Sequence, residues 1–338
     1  MKILVTGGQG FLGGALARAL CRLGKYEVTA TARRSAPELL DLGAKVLPID
    51  LRDREAAMQA TAGQDLVFHT AARAGVWGSF DDYFAINVAA TGHLLEGARQ
   101  NGVSHFVYTS SPSVTFPGHS EVDVDETAAY SKAPLNAYCM TKIQAERAVL
   151  ALNSPRMQTM ALRPHLIYGP GDPHLLPRVF AAAQKRRLIR VGDGTNRVDI
   201  THVDDAVAAH LAVLERLDSD EAWGRPYFIT SGQPILLWDW LSQVLAWNGL
   251  PPIRRSVSLP VAAAIGSTLE FVYRLLRLKG EPRMTKFSAL QLGCAHTYNI
   301  EAARRLLGYQ PKVAPYDPFD RQFVDPGIPC PTTGSTSR

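Results

Sequence analysis

Tyr138 and Lys142 stand four residues apart in the segment Asn136-Ala137-Tyr138-Cys139-Met140-Thr141-Lys142, whose pattern continues as a helix through Gln144, Glu146 and Val149. On an α-helix that spacing puts both side chains on one face. A phenol titrates ordinarily near 10, too high for ready proton exchange at neutral pH, but an ammonium about 4 to 6 Å away favours the phenolate. Upstream, the apolar run Ser104 to Tyr108 reads as a strand ending in Thr109-Ser110-Ser111. Ser111 offers a hydroxyl that can hold a carbonyl or carbinol oxygen against Tyr138, with Ser110 as the alternative. Serine, tyrosine and lysine in this order fit proton transfer at an oxygen whose carbon gains or loses hydride. Tyr-x-x-x-Lys alone recurs by chance, so its weight depends on whether a hydride carrier has a place nearby.

The start of the chain supplies one. Lys2 to Thr6 is a β-branched apolar run, followed by Gly7-Gly8-Gln9-Gly10-Phe11-Leu12-Gly13 and a helical stretch from Gly14 to Leu23. Strand, glycine loop and helix are the context of a dinucleotide-phosphate loop. Gly7 permits the tight turn, Gly10 lets backbone approach a pyrophosphate, and Gly13 lets the helix pack closely. Phe11 and Leu12 lie in the same loop, ahead of a helix whose N-terminus supplies free N–H groups and a partial positive charge that suit an anion. A second strand, Glu27 to Ala32, ends in Arg33-Arg34, where an acidic residue would bind a ribose 2′-hydroxyl. Two arginines favour a 2′-phosphate, so the expected cofactor is NADP (NADPH). Lys45 to Ile49 delivers Asp50 and Leu51 to the adenine position, and Asp65 to His69 runs into the small Ala71 and Ala72. His69 reads as a packed strand residue.

These elements alternate as strand and helix, with a long helical stretch at Phe80 to Asn101 that carries Asn87. The expectation is α/β: a doubly wound parallel sheet of the Rossmann type, ligand at the carboxyl ends of the strands, with a smaller, mostly C-terminal substrate lobe. The boundaries read as 1–162 for the cofactor domain, 163–312 for the lobe and 313–338 for a proline-rich, partly disordered tail, with some later segments returning to the first domain.

A chain of 338 residues with 46% apolar and 20% charged residues can bury a full core and excludes fibrous or disordered classes. The net charge of +5 is spread over scattered basic pairs, which argues against nucleic acid. Cys21, Cys139, Cys294 and Cys330 stand far apart with no CxxC, so no metal site is expected and a reducing cytoplasm fits. The N-terminus has no room for a signal peptide, and Val257 to Leu269 is too short to span a bilayer.

Taken together, Thr6 to Gly13, Phe106 to Ser111, the Tyr138/Lys142 pair, Arg163-Pro164 with Tyr168-Gly169-Pro170-Gly171-Asp172, and His202 to Ala206 resemble the extended short-chain dehydrogenases/reductases, in the 3β-hydroxysteroid dehydrogenase branch. The resemblance implies an NADP-dependent oxidoreductase acting on CH-OH or C=O, with Tyr138, Lys142 and Ser111 catalytic and with Tyr138, Lys142, Pro164 and Leu166 among the cofactor contacts. Ala72 to Phe80, Thr109 to Val114 and Gly169 to Arg178 narrow it to bacterial NADPH-dependent reductases of two-tailed β-keto acids in olefin biosynthesis, although those carry threonine where this chain has Ser111. That implies a hydrophobic keto-acid substrate, a homodimer through the helices at Phe80 to Gln100 and Tyr138 to Leu152, and a complex with other enzymes of the pathway. A sterol dehydrogenase or a nucleotide-sugar epimerase or dehydratase is the alternative. Arg178, Arg187, Arg190 and Arg197 are candidates for a substrate carboxylate. Leu259 to Leu278, greasy at helical spacing, reads as a tunnel or lid, or as a peripheral membrane contact with Arg274, Arg277 and Lys279 snorkelling.

Overall fold

The computed structural model describes residues 1–316; Cys330 and the rest of the expected tail from 317 onward lie outside the described residues. The first half runs β1 (Lys2–Thr6), α1 (Phe11–Leu23), β2 (Glu27–Ala32), α2 (Pro37–Asp41), β3 (Lys45–Pro48), α3 (Arg54–Ala60), β4 (Leu66–His69), α4 (Phe80–Phe84), α5 (Ala90–Gln100) and β5 (His105–Thr109). After it come β6 (Glu121–Val124), α6 (Ala137–Ala151), β7 (Gln158–Pro164), β8 (Ile167–Tyr168), α7 (Leu175–Gln184), β9 (Ile189–Val191), β10 (Arg197–Val198), β11 (Thr201–His202) and α8 (Val203–Ala212). The remainder is β12 (Pro226–Ile229), β13 (Ile235–Leu236), α9 (Leu237–Trp247), β14 (Arg255–Val257), α10 (Leu259–Leu275), α11 (Lys286–Gly293) and β15 (His296–Tyr298).

Seven strands form one sheet in the order β12-β7-β5-β4-β1-β2-β3, every neighbouring pair parallel. The order reverses at β1/β4, the switch point where ligands sit in such folds. Strand alternation builds two cores from one sheet, since successive side chains leave opposite faces. Ile3, Val5, Phe68, Val107 and Leu162 pack with α1 and α8 on one face, while Leu4, Val67, Phe106, Tyr108 and Ala161 pack with α3, α5 and α6 on the other.

The later segments divide between two places. Strand β12 pairs with β7 at the sheet edge, and α8 contributes Ala206, Val207 and Ala209 to the core behind α1. The rest forms a lobe whose own core holds Phe180, Ile200, Trp238, Trp240 and Leu241. A four-stranded sheet, β13-β10-β15-β6, runs along that lobe.

The structure corrects two expectations of shape. The helix at Phe80 to Asn101 is interrupted by a π-helical turn, Ala85–Ala89, which turns the buried Asn87 toward α6. The start of the expected tail, residues 313 to 315, is tied down: Val313 N–H, beside Lys312 N–H, donates to the Asp205 carboxylate, and Trp240 Nε1 donates to the Pro315 carbonyl.

Candidate active site

The glycine loop lies across the switch point. Gly7 has φ +72°, which an L side chain adopts only with strain, and a Cβ there would lie 3.1 Å from Ala71 Cα on the β4 loop. At Gly13 a Cβ would lie 2.4 Å from the Gly7 carbonyl oxygen and 2.5 Å from Thr70 Oγ1, so α1 seats on this loop only with glycine at its third position. Gly10 caps α1 without a side-chain bond, and the first turn carries no acidic residue. The Phe11 ring packs toward Gly171, and Leu12 is buried. At the end of β2, Arg33 and Arg34 are exposed, with no carboxylate at ion-pair distance among the described residues. Gln9 joins them to the loop, accepting from Arg34 N–H at 3.1 Å and donating to the Ser35 carbonyl at 2.7 Å. Asp50 is chelated by Arg52, whose guanidinium holds the carboxyl below its usual range, and the Leu51 carbonyl faces His93. Ala71 N–H donates to Thr6 Oγ1. Pro164 closes β7, and Leu166, at φ +42°, turns the chain into the lobe.

Behind the loop, Tyr138 sits in the first turn of α6, whose N-terminus is capped by Asn136. Its hydroxyl bonds the Ser111 hydroxyl, while burial pushes the phenol up to about 12. Ser111 caps the short turn Pro112–Val114 through Ser113 N–H. Ser110 is buried with its hydroxyl unpartnered, so the structure sets Ser111 rather than Ser110 against Tyr138. The Tyr83 ring meets Tyr138 edge-on at 6.3 Å.

Lys142 departs from the expected geometry. Its Nζ donates to the Thr109 carbonyl at 2.6 Å and lies 4.2 Å from the centre of the Tyr108 ring. Burial lowers it to about 7, opposed by Glu146 one turn further on. Among the protein's own groups, therefore, the ammonium does not bring the phenol down; desolvation dominates at both residues.

Several partners were not legible as site residues. Glu146, fully buried, takes the Arg163 guanidinium through Nε at 3.1 Å and Nη2 at 2.5 Å and accepts from the Tyr130 hydroxyl at 2.9 Å. The i, i+4 spacing of Lys142 and Glu146 was visible in the sequence, whereas Arg163 arrives from β7. Asn87 accepts from Arg73 N–H at 2.7 Å and donates to Thr141 Oγ1 at 3.1 Å, fixing the β4 loop to α6. His69 is packed between Thr6 and Thr91, pushed down to about 3 by burial and hence neutral. Of the four arginines named for a substrate carboxylate, Arg178 lies near Tyr83 but is paired with Glu281 at 3.0 Å. Arg197 donates to the Pro234 carbonyl, and Arg187 and Arg190 are not brought to Tyr138 by any contact. Helix α10 fully buries Ala262 and Gly266; Leu259, Ala263, Leu269, Val272 and Tyr273 are half-buried, while Val261, Ile265, Phe271 and Leu275 are exposed.

The 3-beta hydroxysteroid dehydrogenase/isomerase family pattern matches residues 4–261. The chain belongs to this family. It is an oxidoreductase of the short-chain dehydrogenase/reductase class. It is 44% identical to the 2-alkyl-3-oxoalkanoate reductase of Stenotrophomonas maltophilia over 93% of this chain and 96% of that protein. Identity is 40% to the reductase of the same name from Shewanella oneidensis, over 92% and 82% of the two chains. It falls to 30% for the mouse sterol-4-alpha-carboxylate 3-dehydrogenase, decarboxylating, over 95% and 89%. Among solved structures, MoeE5 in complex with UDP-glucuronic acid and NAD matches with a TM-score of 0.70 and 26% identity, over 96% of both chains. The UDP-glucuronic acid 4-epimerase of Bacillus cereus shares the fold, with a TM-score of 0.74, 23% identity and coverage of 96% and 97%.

In this member of the family the residues present fit a dinucleotide. The loop packs against Ala71, Thr70 and its own backbone too closely to admit a Cβ at Gly7 or Gly13, and the capless start of α1 leaves its amides for an anion.

Proposed function

We propose that this chain is an NADPH-dependent reductase that converts a 2-alkyl-3-oxoalkanoate to the 2-alkyl-3-hydroxyalkanoate. The observation that carries the reading is the Tyr138–Ser111 hydroxyl pair at the carboxyl edge of the sheet, beside the glycine cradle. The 44% identity to the S. maltophilia enzyme of that activity supports the substrate class. Gly7, Gly10, Phe11, Leu12 and Gly13 hold the pyrophosphate, Arg33 and Arg34 the 2′-phosphate, Asp50 and Leu51 flank the adenine, and Ala71, Ala72, Pro164 and Leu166 border the rest.

When bound, the cofactor supplies hydride to the ketone carbon. Tyr138 gives its phenolic proton to the oxygen, and with a pKa pushed to about 12 it is protonated across the neutral range. Ser111 donates to the same oxygen and fixes its direction. Lys142, on the helix that carries Tyr138 and bonded to the Thr109 carbonyl, would hold the nicotinamide ribose.

Residues 1–162 with β12 and α8 form the cofactor domain, and most of 163–312 forms the substrate lobe. The exposed Phe80 and Phe84 on α4 and Met140 and Leu152 at α6 supply an apolar face for a homodimer. The unpaired thiols of Cys21, Cys139 and Cys294 suit a reducing cytoplasm.

The test is NADPH oxidation against 2-alkyl-3-keto acids, 3-ketosteroids and nucleotide sugars. Turnover is expected with the keto acids; activity confined to either other group overturns the assignment. The double change Arg33→Ser/Arg34→Ser should raise the Kd for NADPH at least about tenfold and leave NADH unchanged, as expected for two lost charge-assisted phosphate contacts. An equal effect on both cofactors would remove the arginines from the phosphate.

A further inference from the structure

A β-keto acid carries its carboxylate one carbon away from the ketone, so the charge enters beside whatever group serves the oxygen. Here that group is Tyr138, whose phenol burial pushes up to about 12, and the same desolvation penalises an incoming anion unless a cation meets it. Most cations around Tyr138 are already committed. Lys142 donates to the Thr109 carbonyl, and the Arg163 guanidinium is sealed against Glu146. Arg178 is held by both Glu281 oxygens at 3.0 and 3.1 Å, and Arg274, over the Trp77 ring, faces Glu270 at 3.9 Å.

Arg73 differs. It stands in the loop that leaves the carboxyl end of β4, the strand beside β1 at the switch point. Its main chain is clamped on the buried Asn87, which accepts from Arg73 N–H at 2.7 Å and donates to its carbonyl at 3.1 Å. The guanidinium carbon lies 5.1 Å from the centre of the Tyr83 ring, and that ring meets Tyr138 edge-on at 6.3 Å. The loop closes over this arrangement at Gly78, where a Cβ would lie 2.9 Å from Tyr83 Cε2 and 3.3 Å from Arg73 Nη2. Among the described residues, the carboxylate that approaches Arg73 is that of Asp82, 3.7 Å away and 58% exposed, beyond hydrogen-bond reach and screened by water. Arg73 itself is 38% exposed, so a ligand can reach it. A planar fork of N–H donors with no carboxylate bonded to it takes an incoming carboxylate by two parallel bonds.

We propose that Arg73 determines specificity for the substrate carboxylate: its guanidinium takes both carboxylate oxygens while Tyr138 and Ser111 hold the ketone oxygen. This rests on the keto-acid reading of the site. The Tyr83 ring spaces the guanidinium from the phenol, and the acid, not its ester, is matched to both ends. No bond of the substrate changes at Arg73. The guanidinium also keeps the carboxyl ionised, without the proton whose transfer to the ketone drives loss of CO2 from a β-keto acid. Because the contact is made in the bound substrate as well as during hydride transfer, its loss appears in KM more than in kcat.

Oxidation of a 2-alkyl-3-hydroxyalkanoate and of its methyl ester with NADP tests it, since the hydroxy acid, unlike the keto acid, does not lose CO2 on standing. Wild type should favour the acid at least about tenfold in kcat/KM, chiefly through KM, the range expected for hydrogen bonds to a charged group. Arg73→Ser should remove that preference, losing at least about tenfold more on the acid than on the ester, whereas Arg178→Ser should keep it. As a second measurement, without turnover, the unreactive branched acid 2-butyloctanoate should bind the NADP complex of wild type at least about tenfold more tightly than that of Arg73→Ser, read by calorimetry. An acid-to-ester ratio unchanged in Arg73→Ser, a ratio abolished by Arg178→Ser, or equal affinities for 2-butyloctanoate overturns the proposal and leaves the keto-acid reading standing. Wild type that oxidises neither the acid nor the ester overturns that reading, and the role of Arg73 with it.

Discussion

Replacing Lys142 by methionine should make the protein more stable while it removes activity. The side chain is 1% exposed, and burial brings the ammonium from 10.5 to about 7. An unfolded lysine keeps the higher value, so below pH 7 folding forces a charge into a place that disfavours it. The gap corresponds to about 5 kcal/mol at roughly 1.4 kcal/mol per pKa unit. Methionine forgoes the bond to the Thr109 carbonyl, a loss of about 1 kcal/mol, and the attraction to the Tyr108 ring, about another 1 kcal/mol. The net gain is therefore about 3 kcal/mol. With roughly 2.1 cal/mol/K of unfolding entropy per residue over 338 residues, that raises Tm by about 4 °C.

The pH dependence carries the sign. Between about pH 7 and 10.5 the unfolded chain binds the proton that the folded chain has lost, so wild-type stability rises with pH relative to the variant. The advantage of Lys142→Met should be full at pH 6 and nearly gone at pH 10. Melting curves of both proteins at pH 6, 8 and 10 measure it. A variant less stable than wild type at pH 6, or a difference that is flat with pH, would refute the reasoning that a buried charge is held here at the expense of stability.

Three further changes probe the site. Tyr138→Phe should lower kcat at least about a hundredfold with cofactor Kd unchanged within threefold, read by steady-state assay and by fluorescence titration, because the proposed proton donor is lost and the fold is not. Gly13→Ala places a methyl 2.4 Å from the Gly7 carbonyl oxygen; cofactor affinity should fall at least tenfold and stability by about 1 to 3 kcal/mol, both measurable by thermal shift with and without cofactor. Glu146→Gln leaves the buried Arg163 guanidinium without its counter-charge, an expected loss of about 3 to 5 kcal/mol in denaturant titration; a loss below 1 kcal/mol would mean that the pair is not desolvated.

The elements that could be read from local pattern were read closely. A β-branched run followed by glycines and a helix is a short-range signal, so β1 stands where expected, α1 starts at Phe11, three residues ahead of the expected Gly14, and strands β2 to β5 differ from expectation by at most a residue or so at their ends. The π-helical turn at Ala85–Ala89 was invisible, because nothing in its residue types breaks a helix; the contacts of Asn87 with Arg73 and Thr141 come from elsewhere in the chain. The greasiness of Leu259 to Leu278 was plain, yet composition does not say which side faces protein. Only the seam at Ala262 and Gly266 decides that.

By itself, the sequence determined the class of chemistry: glycine spacing, the four-residue step from Tyr138 to Lys142 and the hydroxyls after β5 are fixed by turn and helix geometry, which is local. Tertiary structure alone decided the electrostatics. Tyr138 pushed up to about 12, Lys142 brought down to about 7 and the sealed Glu146–Arg163 pair all follow from burial, and burial is set by residues far apart in the chain that the sheet brings together.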